Sequence, residues 1–512
     1  MQSLMLDVRA RDGGARPPWP VRQAALAEIL RAQRRALLDV AEAADEDARR
    51  VLLLAGHALM AGVGAVTEAA LALAGEAEAG VVVTGPAEID FLRGGGTAPE
   101  PARRSAGGAA PTRLRQARRI ARIASWTSSW RLPGAVLAPW ATAVTHNPLL
   151  RDMARTTPHS IGFAHADEIL AAAARAAKVS SNAGHALADA LTETLAARLS
   201  VHASVLADLG SRLERLIAAR ARSAIAAAHA DLAALRDVSL PRRLWSGTGG
   251  NYAARALGLE LLRRGGEVVR FDHGGSAAPL VDPEGMELIE FSVASRFVAP
   301  TERLATCLKS WIPKHWNCAI GHGDGDPMFR VPSARAPETP TSLSRPRVLY
   351  APTVVPGFRK LPVPNIADRL YIDWQIDVAA ALLAMPIQAI LRPHPEGVFR
   401  GRPHPLADVA PLAAQPFEQL RDGADVFVFD NPASTTFWEA ACTDRPIVYL
   451  DLGIARFAPD IAPILQARLR TVEVRFDASN RPVLDRAALA EAVTAPGRID
   501  PTPLRQMFAG RA

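Results

Sequence analysis

The sequence predicts an α/β protein built of two Rossmann-like lobes, with a long helical insertion in the N-terminal lobe. Three observations predict it. In residues 347–512, short continuous apolar runs alternate with helical stretches, the pattern of a parallel sheet covered on both faces. Residues 243–298 repeat the alternation. Between 164 and 237 the chain is Ala- and Leu-rich with few breakers, which predicts two or three long helices.

The composition is compatible with that fold and narrows the function classes. The 512 residues are 49% hydrophobic and 22% charged, which excludes a disordered chain and allows two to four domains. The net charge is +7 and the pI about 9.8, values that raise the question of nucleic acid. Yet the basic residues are nearly all Arg, with Lys only at Lys178, Lys309, Lys314 and Lys360. No run of five basic residues occurs and no aromatic–basic alternation marks a single-strand surface. No nucleic acid partner is expected; mild attraction to anionic substrates or lipid headgroups is. Cys307, Cys318 and Cys442 lie far apart without metal-ligand spacing, as in a reducing cytoplasm. The first 20 residues lack the apolar stretch of a secretion signal. The longest apolar run, residues 51–66, holds His57 and falls short of a span of about 20 residues.

Residues 24–48 read as a helix, with Leu26, Ile29, Leu30, Leu37 and Leu38 on one face. Residues 51–54 and 81–84 read as strands of a βαβ unit, and 93–122 as a Gly- and Arg-rich loop. Short strands are expected at 136–137 and 142–145. The Ala/Leu-rich stretch 164–237 reads as a packing hairpin or the seam of a homodimer. Strand, helix and strand follow at 243–246, 252–264 and 267–271, then a strand within 288–298. Residues 331–346 hold Pro332, Pro337, Pro340 and Pro346 among Ser and Thr, the best linker in the chain. It separates an N-terminal lobe, 1–330, from a C-terminal lobe, 347–512. In the latter, strands are expected at 348–350, 387–391, 426–429 and 447–450, and helices at 373–383 and 436–442.

Three segments can carry chemistry. Arg392-Pro393-His394-Pro395-Glu396-Gly397 follows a strand of the C-terminal lobe, and ligands of open parallel sheets sit outside the carboxyl ends of the strands. The prolines stiffen the segment, so the His394 imidazole can donate to a phosphate with Arg392 adding charge; the plainer reading is a rigid turn. Asp430-Asn431-Pro432-Ala433-Ser434-Thr435-Thr436 follows the next strand and opens a helix, where three hydroxyls beside unpaired amides suit an anion. Against that, Thr436 and Glu439 have the spacing of a capping box. The third segment, Gly247-Thr248-Gly249-Gly250-Asn251-Tyr252, is a glycine-rich turn that lets backbone approach a ligand. It is no P-loop, and it matches the dinucleotide fingerprint weakly, with Asp272 as the ribose acid. Beyond it, His273-Gly274-Gly275 exposes an imidazole beside the Asp272 carboxylate, either a base with its orienting acid or a structural contact. Asp324-Gly325-Asp326 reads as a turn, despite the spacing of a metal-binding acidic pair. His146-Asn147-Pro148 lines a substrate cleft or simply starts a turn.

The order His273-Gly274, Val348-Leu349-Tyr350-Ala351-Pro352-Thr353, Arg392-Pro393-His394-Pro395 and Asp430…Ser434-Thr435 resembles bacterial cell-surface polymer transferases. The similarity is to the CDP-glycerol glycerophosphotransferases of teichoic acid synthesis and to the capsule or lipopolysaccharide sialic acid and Kdo transferases. It covers roughly residues 242–453; the first 240 residues carry no such resemblance. The resemblance implies the two-lobed GT-B fold and a glycosyltransferase, or glycerophosphate-type transferase, that needs no essential metal or other cofactor. It implies that His273 is the base on the acceptor hydroxyl, that His394 contacts the donor phosphate, and that Ser434 and Thr435 bind phosphate. The acidic base motif of the polysialyltransferases is not evident unless Asp272 replaces it.

The expected partners are therefore a nucleotide-linked donor, CMP-linked in preference to CDP- or UDP-linked, and a glycan or glycolipid acceptor. The expected location is the cytoplasm, with peripheral contact at the inner face of the membrane. Two other readings keep the sequence observations: a sugar-nucleotide epimerase or dinucleotide enzyme of the same fold, and a non-catalytic scaffold of surface-polysaccharide assembly.

Overall fold

A computed structural model describes residues 2–10, 16–99, 113–176, 185–200, 209–312, 317–331, 345–357, 366–495 and 499–510. Most of the expected linker, 332–344, lies outside the described residues. Two parallel sheets dominate, each with helices on both faces, and the α/β class with two Rossmann-like lobes holds. The strands are β1 (Gln2–Met5), β2 (Val81–Thr84), β3 (Ala141–Ala143), β4 (Ile161–Phe163), β5 (Arg243–Ser246), β6 (Glu267–Phe271), β7 (Arg296–Ala299) and β8 (Ala319–His322). They continue with β9 (Arg347–Tyr350), β10 (Gln388–Leu391), β11 (Val426–Phe429), β12 (Ile447–Asp451) and β13 (Arg470–Glu473).

The N-terminal sheet has the order β4-β3-β5-β6-β7-β8 and the C-terminal sheet the order β10-β9-β11-β12-β13. Every pairing in both is parallel. In each lobe the second strand lies on one side of the first and the third on the other. The crossovers therefore diverge, and a crevice opens at the carboxyl ends of the first and third strands. Strand β11 is buried and apolar along its length, and β9 and β12 are buried apart from Arg347 and Asp451 at their ends, as in a parallel sheet covered on both faces.

Several sequence expectations are corrected. Residues 51–54 are not a strand but part of the helix Glu46–Ala74. Asp45 caps that helix by accepting from the Ala48 amide, and Glu46 and Asp47 favour the helix dipole in its first turn. Its length and composition would suffice to cross a membrane, yet it is largely buried inside the protein, against helices Gln23–Ala43 and Gly210–Leu235. Strand β2 forms, but pairs with β1 in a separate two-stranded sheet. Residues 136–137 belong to the helix Leu132–Leu137, opened by a proline preset for the first turn. The stretch 93–122, expected as a loop, contains most of the helix Arg113–Trp126. Only Arg296–Ala299 is strand in the 288–298 region, since Asp282 caps the helix Pro283–Ile289 before it.

The helical insertion forms three helices, Ala166–Ala176, His185–Ser200 and Gly210–Leu235, between β4 and β5. They pack on one another and on the N-terminal helices.

The chain ends cross between the lobes. Residues 16–19 are tied to the C-terminal lobe by the Arg16–Asp377 ion pair and by bonds from Trp19 to Ser479 and Asn480. The C-terminal helix Thr502–Phe508 reaches back, its Met507 carbonyl accepting from Thr301 and its Phe508 ring packing on Phe329. Loops 279–281 and 456–458 join the lobes further through backbone bonds and the Leu280–Phe457 bridge.

Candidate functional site

The crevice of the C-terminal lobe gathers three loops. The backbones of β10 and β11 both pair with β9 in register, so the loops after all three end at one edge. His394 and Ser434 therefore stand on the same side of the lobe, flanking Ala351-Pro352-Thr353.

Under this edge Asp430 is fully buried and accepts from Tyr350 Oη at 2.6 Å, Tyr371 Oη at 2.7 Å and Trp374 Nε1 at 3.2 Å. Burial lifts its carboxyl to about 6, against the pull of those three donors. Tyr371 also accepts from the Thr353 amide at 2.8 Å, so one buried carboxylate links the loops after β9 and β11. Sequence reasoning named Asp430 but missed Tyr371 and Trp374. Their spacing of three on the helix Asp368–Leu383, which puts both on one face, was the available signal.

The helix Thr435–Ala441 begins with Ser434 as its N-cap, and Ser434 makes no side-chain capping bond; its Oγ lies 2.7 Å from Thr436 Oγ1 instead. The expected capping box is not formed. Glu439 sits two residues beyond the box position and is held by Arg421 at 2.5 Å. Its carboxyl is buried and raised to about 7. The hydroxyls of Ser434, Thr435 and Thr436 thus cluster at a helix start that no side chain closes.

Across β9, His394 Nδ1 accepts from the Glu396 amide at 3.1 Å, which leaves Nε2 as the N–H of the neutral ring. Burial holds its pKa below the ordinary histidine value. Arg392 donates from Nε to the Gln415 carbonyl at 3.1 Å. Glu396 is exposed and paired with Arg400 at 3.0 Å.

In the N-terminal lobe the crevice between β3 and β5 collects His146-Asn147 and the glycine-rich turn. Asn147 Nδ2 donates to the carbonyls of Gly247 (2.9 Å) and Asp272 (2.7 Å), and its Oδ1 caps the helix Pro148–Thr156. The turn is clamped from below by three buried ionisable groups. Glu290 accepts from the Gly249 amide at 3.0 Å; Arg270 donates to the Thr248 carbonyl at 2.6 Å; Arg255 donates to the Gly249 carbonyl at 3.4 Å and to the Ile289 carbonyl at 2.8 Å. Both arginines are fully buried, and desolvation lowers them to about 10 and about 9 respectively. No side chain fits at Gly249, where a Cβ would lie 2.5 Å from the Glu290 carboxylate. Asn251 and Tyr252, expected in the cleft, serve the scaffold: Asn251 caps the helix Tyr252–Arg263, and the buried Tyr252 bonds Asp231. Gly250 is exposed at the turn. His146 is exposed near Trp126 and Phe163, and burial with Arg122 and Arg151 lowers its pKa.

The two lobes meet at the turn after β6. Gly274 and Gly275 adopt φ of +84° and +77°, left-handed values that L side chains resist. A Cβ on Gly274 would lie 3.0 Å from Thr435 Cβ, and one on Gly275 would lie 2.7 Å from the Phe508 ring. His273 is exposed beside this junction. Asp272 is buried, 1% exposed, and makes no hydrogen bond to the His273 ring. Burial, with Asp326 and Glu290 nearby, lifts its carboxyl to about 8, while the Gly275 and His273 amides draw it down. The expected orienting contact with the imidazole is absent, and so is an open carboxylate for a ribose. Asp326 caps the turn at Met328 rather than pairing with Asp324 around an ion. Among the described residues, no group of three or more His, Cys, Asp or Glu is placed to hold a metal ion.

No family model matches the chain, and no curated protein matches it. Among solved structures, the chain is similar to a crystal structure of UDP-N-acetylglucosamine 2-epimerase, at 12% identity over 72% of this chain and 89% of that one. The TM-score is 0.32, too low for the likeness to bear on fold or function.

Proposed function

We propose that the protein is a transferase that moves a sugar or glycerophosphate-type group from a nucleotide-linked donor to a hydroxyl of a glycan or glycolipid. The reading rests on one observation above all. The exposed imidazole-bearing turn of the N-terminal lobe, His273-Gly274-Gly275, abuts the hydroxyl-rich helix start of the C-terminal lobe at Thr435. A nucleophile bound by one lobe and a phosphate bound by the other would meet there.

In this scheme the donor phosphates lie in the β10–β9–β11 crevice. His394 Nε2–H, Arg392 and the hydroxyls and amides from Ser434 to Thr436 supply the positive character that a departing phosphate needs. His273 removes the proton from the acceptor hydroxyl as its oxygen attacks the transferred group. For a sugar donor, the anomeric C–O bond to phosphate breaks and its electron pair leaves with the phosphate oxygen. The buried clamp of Arg255, Arg270 and Glu290 fixes the glycine-rich turn on the acceptor side. A CMP-linked donor is the first to test, on the resemblance of the motifs alone.

Calorimetry with CMP, CDP and UDP tests donor binding directly. We expect at least one to bind, His394→Ala to lose that binding, and His273→Ala to keep it while losing turnover. Failure of all three nucleotides to bind would remove the basis of the proposal. Incubating a sugar nucleotide without acceptor separates transfer from epimerisation: an epimerised sugar nucleotide as product rules out the transferase.

A further inference from the structure

We infer that the surface formed by helices Arg113–Trp126 and Leu132–Leu137 is a docking face for an anionic phospholipid bilayer. From Arg113 to Arg151 the chain carries seven arginines and no Asp or Glu. The next acid along the chain, Asp152, faces Arg330 instead. The two helices pack on each other and on β4, the edge strand of the N-terminal sheet. Arg118 and Arg122 are exposed, and neither has an acidic partner among the described residues.

The same segment, residues 113–137, also exposes large apolar side chains. Ile120, Trp130 and Leu137 are 44%, 76% and 83% exposed, three of the five exposed large hydrophobic residues among the described ones. Scattered single apolar residues need no explanation, but grouped ones beside arginines that lack an acidic partner do. The first helix buries Ile123 and Trp126 against the lobe, ties Arg119 to the Phe163 carbonyl, sets Arg122 over the Phe163 ring and leaves Arg118 exposed. Trp130 carries the Arg131 guanidinium 5.3 Å from its ring centre. Exposed indole, aliphatic tips and guanidinium groups within one 25-residue segment match the boundary between acyl chains and anionic headgroups. A nucleic acid would use the arginines but would gain nothing from Leu137 or Ile120. The inference stands on this surface alone and is independent of the reaction proposed above.

The test is flotation of the full chain with vesicles of phosphatidylcholine alone and of an equimolar mixture with phosphatidylglycerol. We expect binding to the mixed vesicles only, weakening as salt rises. Arg118→Glu should weaken it by roughly 5–25-fold. Trp130→Ser with Leu137→Ser should weaken it by about tenfold or more. All these side chains are exposed, and an unchanged melting temperature confirms that the variants fold. No binding, equal binding to both vesicle types, or variants that bind like the wild type would each overturn the inference. So would an RNA oligonucleotide that binds the chain more tightly than the mixed vesicles do and is indifferent to the Trp130 and Leu137 changes.

Discussion

Gly274 and Thr435 belong to different lobes, yet a methyl group on the glycine would lie 3.0 Å from the threonine Cβ. The glycine is also left-handed, at φ +84°. Gly274→Ala therefore meets a backbone penalty and a steric one, together about 1–3 kcal/mol of stability. Thr435→Ala removes atoms on the steric side only. Urea unfolding of the two single variants and the double variant measures the coupling, and the double should be less destabilised than the sum. Strict additivity would mean that the two residues do not touch in solution.

His394 is fixed as a neutral donor at Nε2 by the Glu396 amide at Nδ1. His394→Ala should weaken nucleotide binding by about 10–100-fold, the worth of a hydrogen bond to a charged group. His394→Gln, which can keep an N–H near the Nε2 position, should lose less. Since burial lowers the pKa of the ring, its contribution should not grow as pH falls from 8 towards 6.5. Titration calorimetry across that range reads both effects.

The Tyr371 hydroxyl serves Asp430 and the Thr353 amide together. Tyr371→Phe leaves a buried carboxylate short of one donor and a backbone amide short of its acceptor. A loss of about 1–3 kcal/mol is expected in denaturant unfolding, with an unchanged m-value. A neutral result would show that Tyr350 and Trp374 suffice to hold Asp430.

Asp272 carries a carboxyl raised from its ordinary range to about 8 in the folded state. A raised acid binds more protons folded than unfolded, so its contribution to stability is lost as pH rises from about 4 through 8. Asp272→Asn removes that titration. The fall in stability between pH 5 and 7 should become shallower by up to about 1.4 kcal/mol per pH unit, the limit for one proton. Parallel pH profiles for wild type and variant would show instead that Asp272 is ionised in the folded protein.

Four of the five strands of the C-terminal sheet were legible within a residue or two, because runs such as Val426–Phe429 and Ile447–Asp451 are apolar and bounded, whereas the largely exposed, polar β13 was missed. The run at residues 51–66 misled for the same reason: periodicity cannot separate a buried strand from a buried helix, and the Asp45 cap was the deciding local signal. The capping box was misread because Thr436 and Glu439 have the right spacing in a helix whose N-cap, Ser434, lies two residues earlier. Strand β1 went unseen since Gln2–Met5 shows no pattern apart from its partner Val81–Thr84.

The sequence by itself determined which segments stand at strand ends, and equipped them with proline, glycine and hydroxyl residues whose conformational effects are local. It could not determine that β9 lies between β10 and β11, nor that the turn at Gly274 meets Thr435. Strand order and lobe contact are long-range choices, made by the burial of surfaces far apart in the chain. The Asp430 and Arg255–Arg270–Glu290 networks followed from the same cause, because a charge needs its partners only once folding has removed its water.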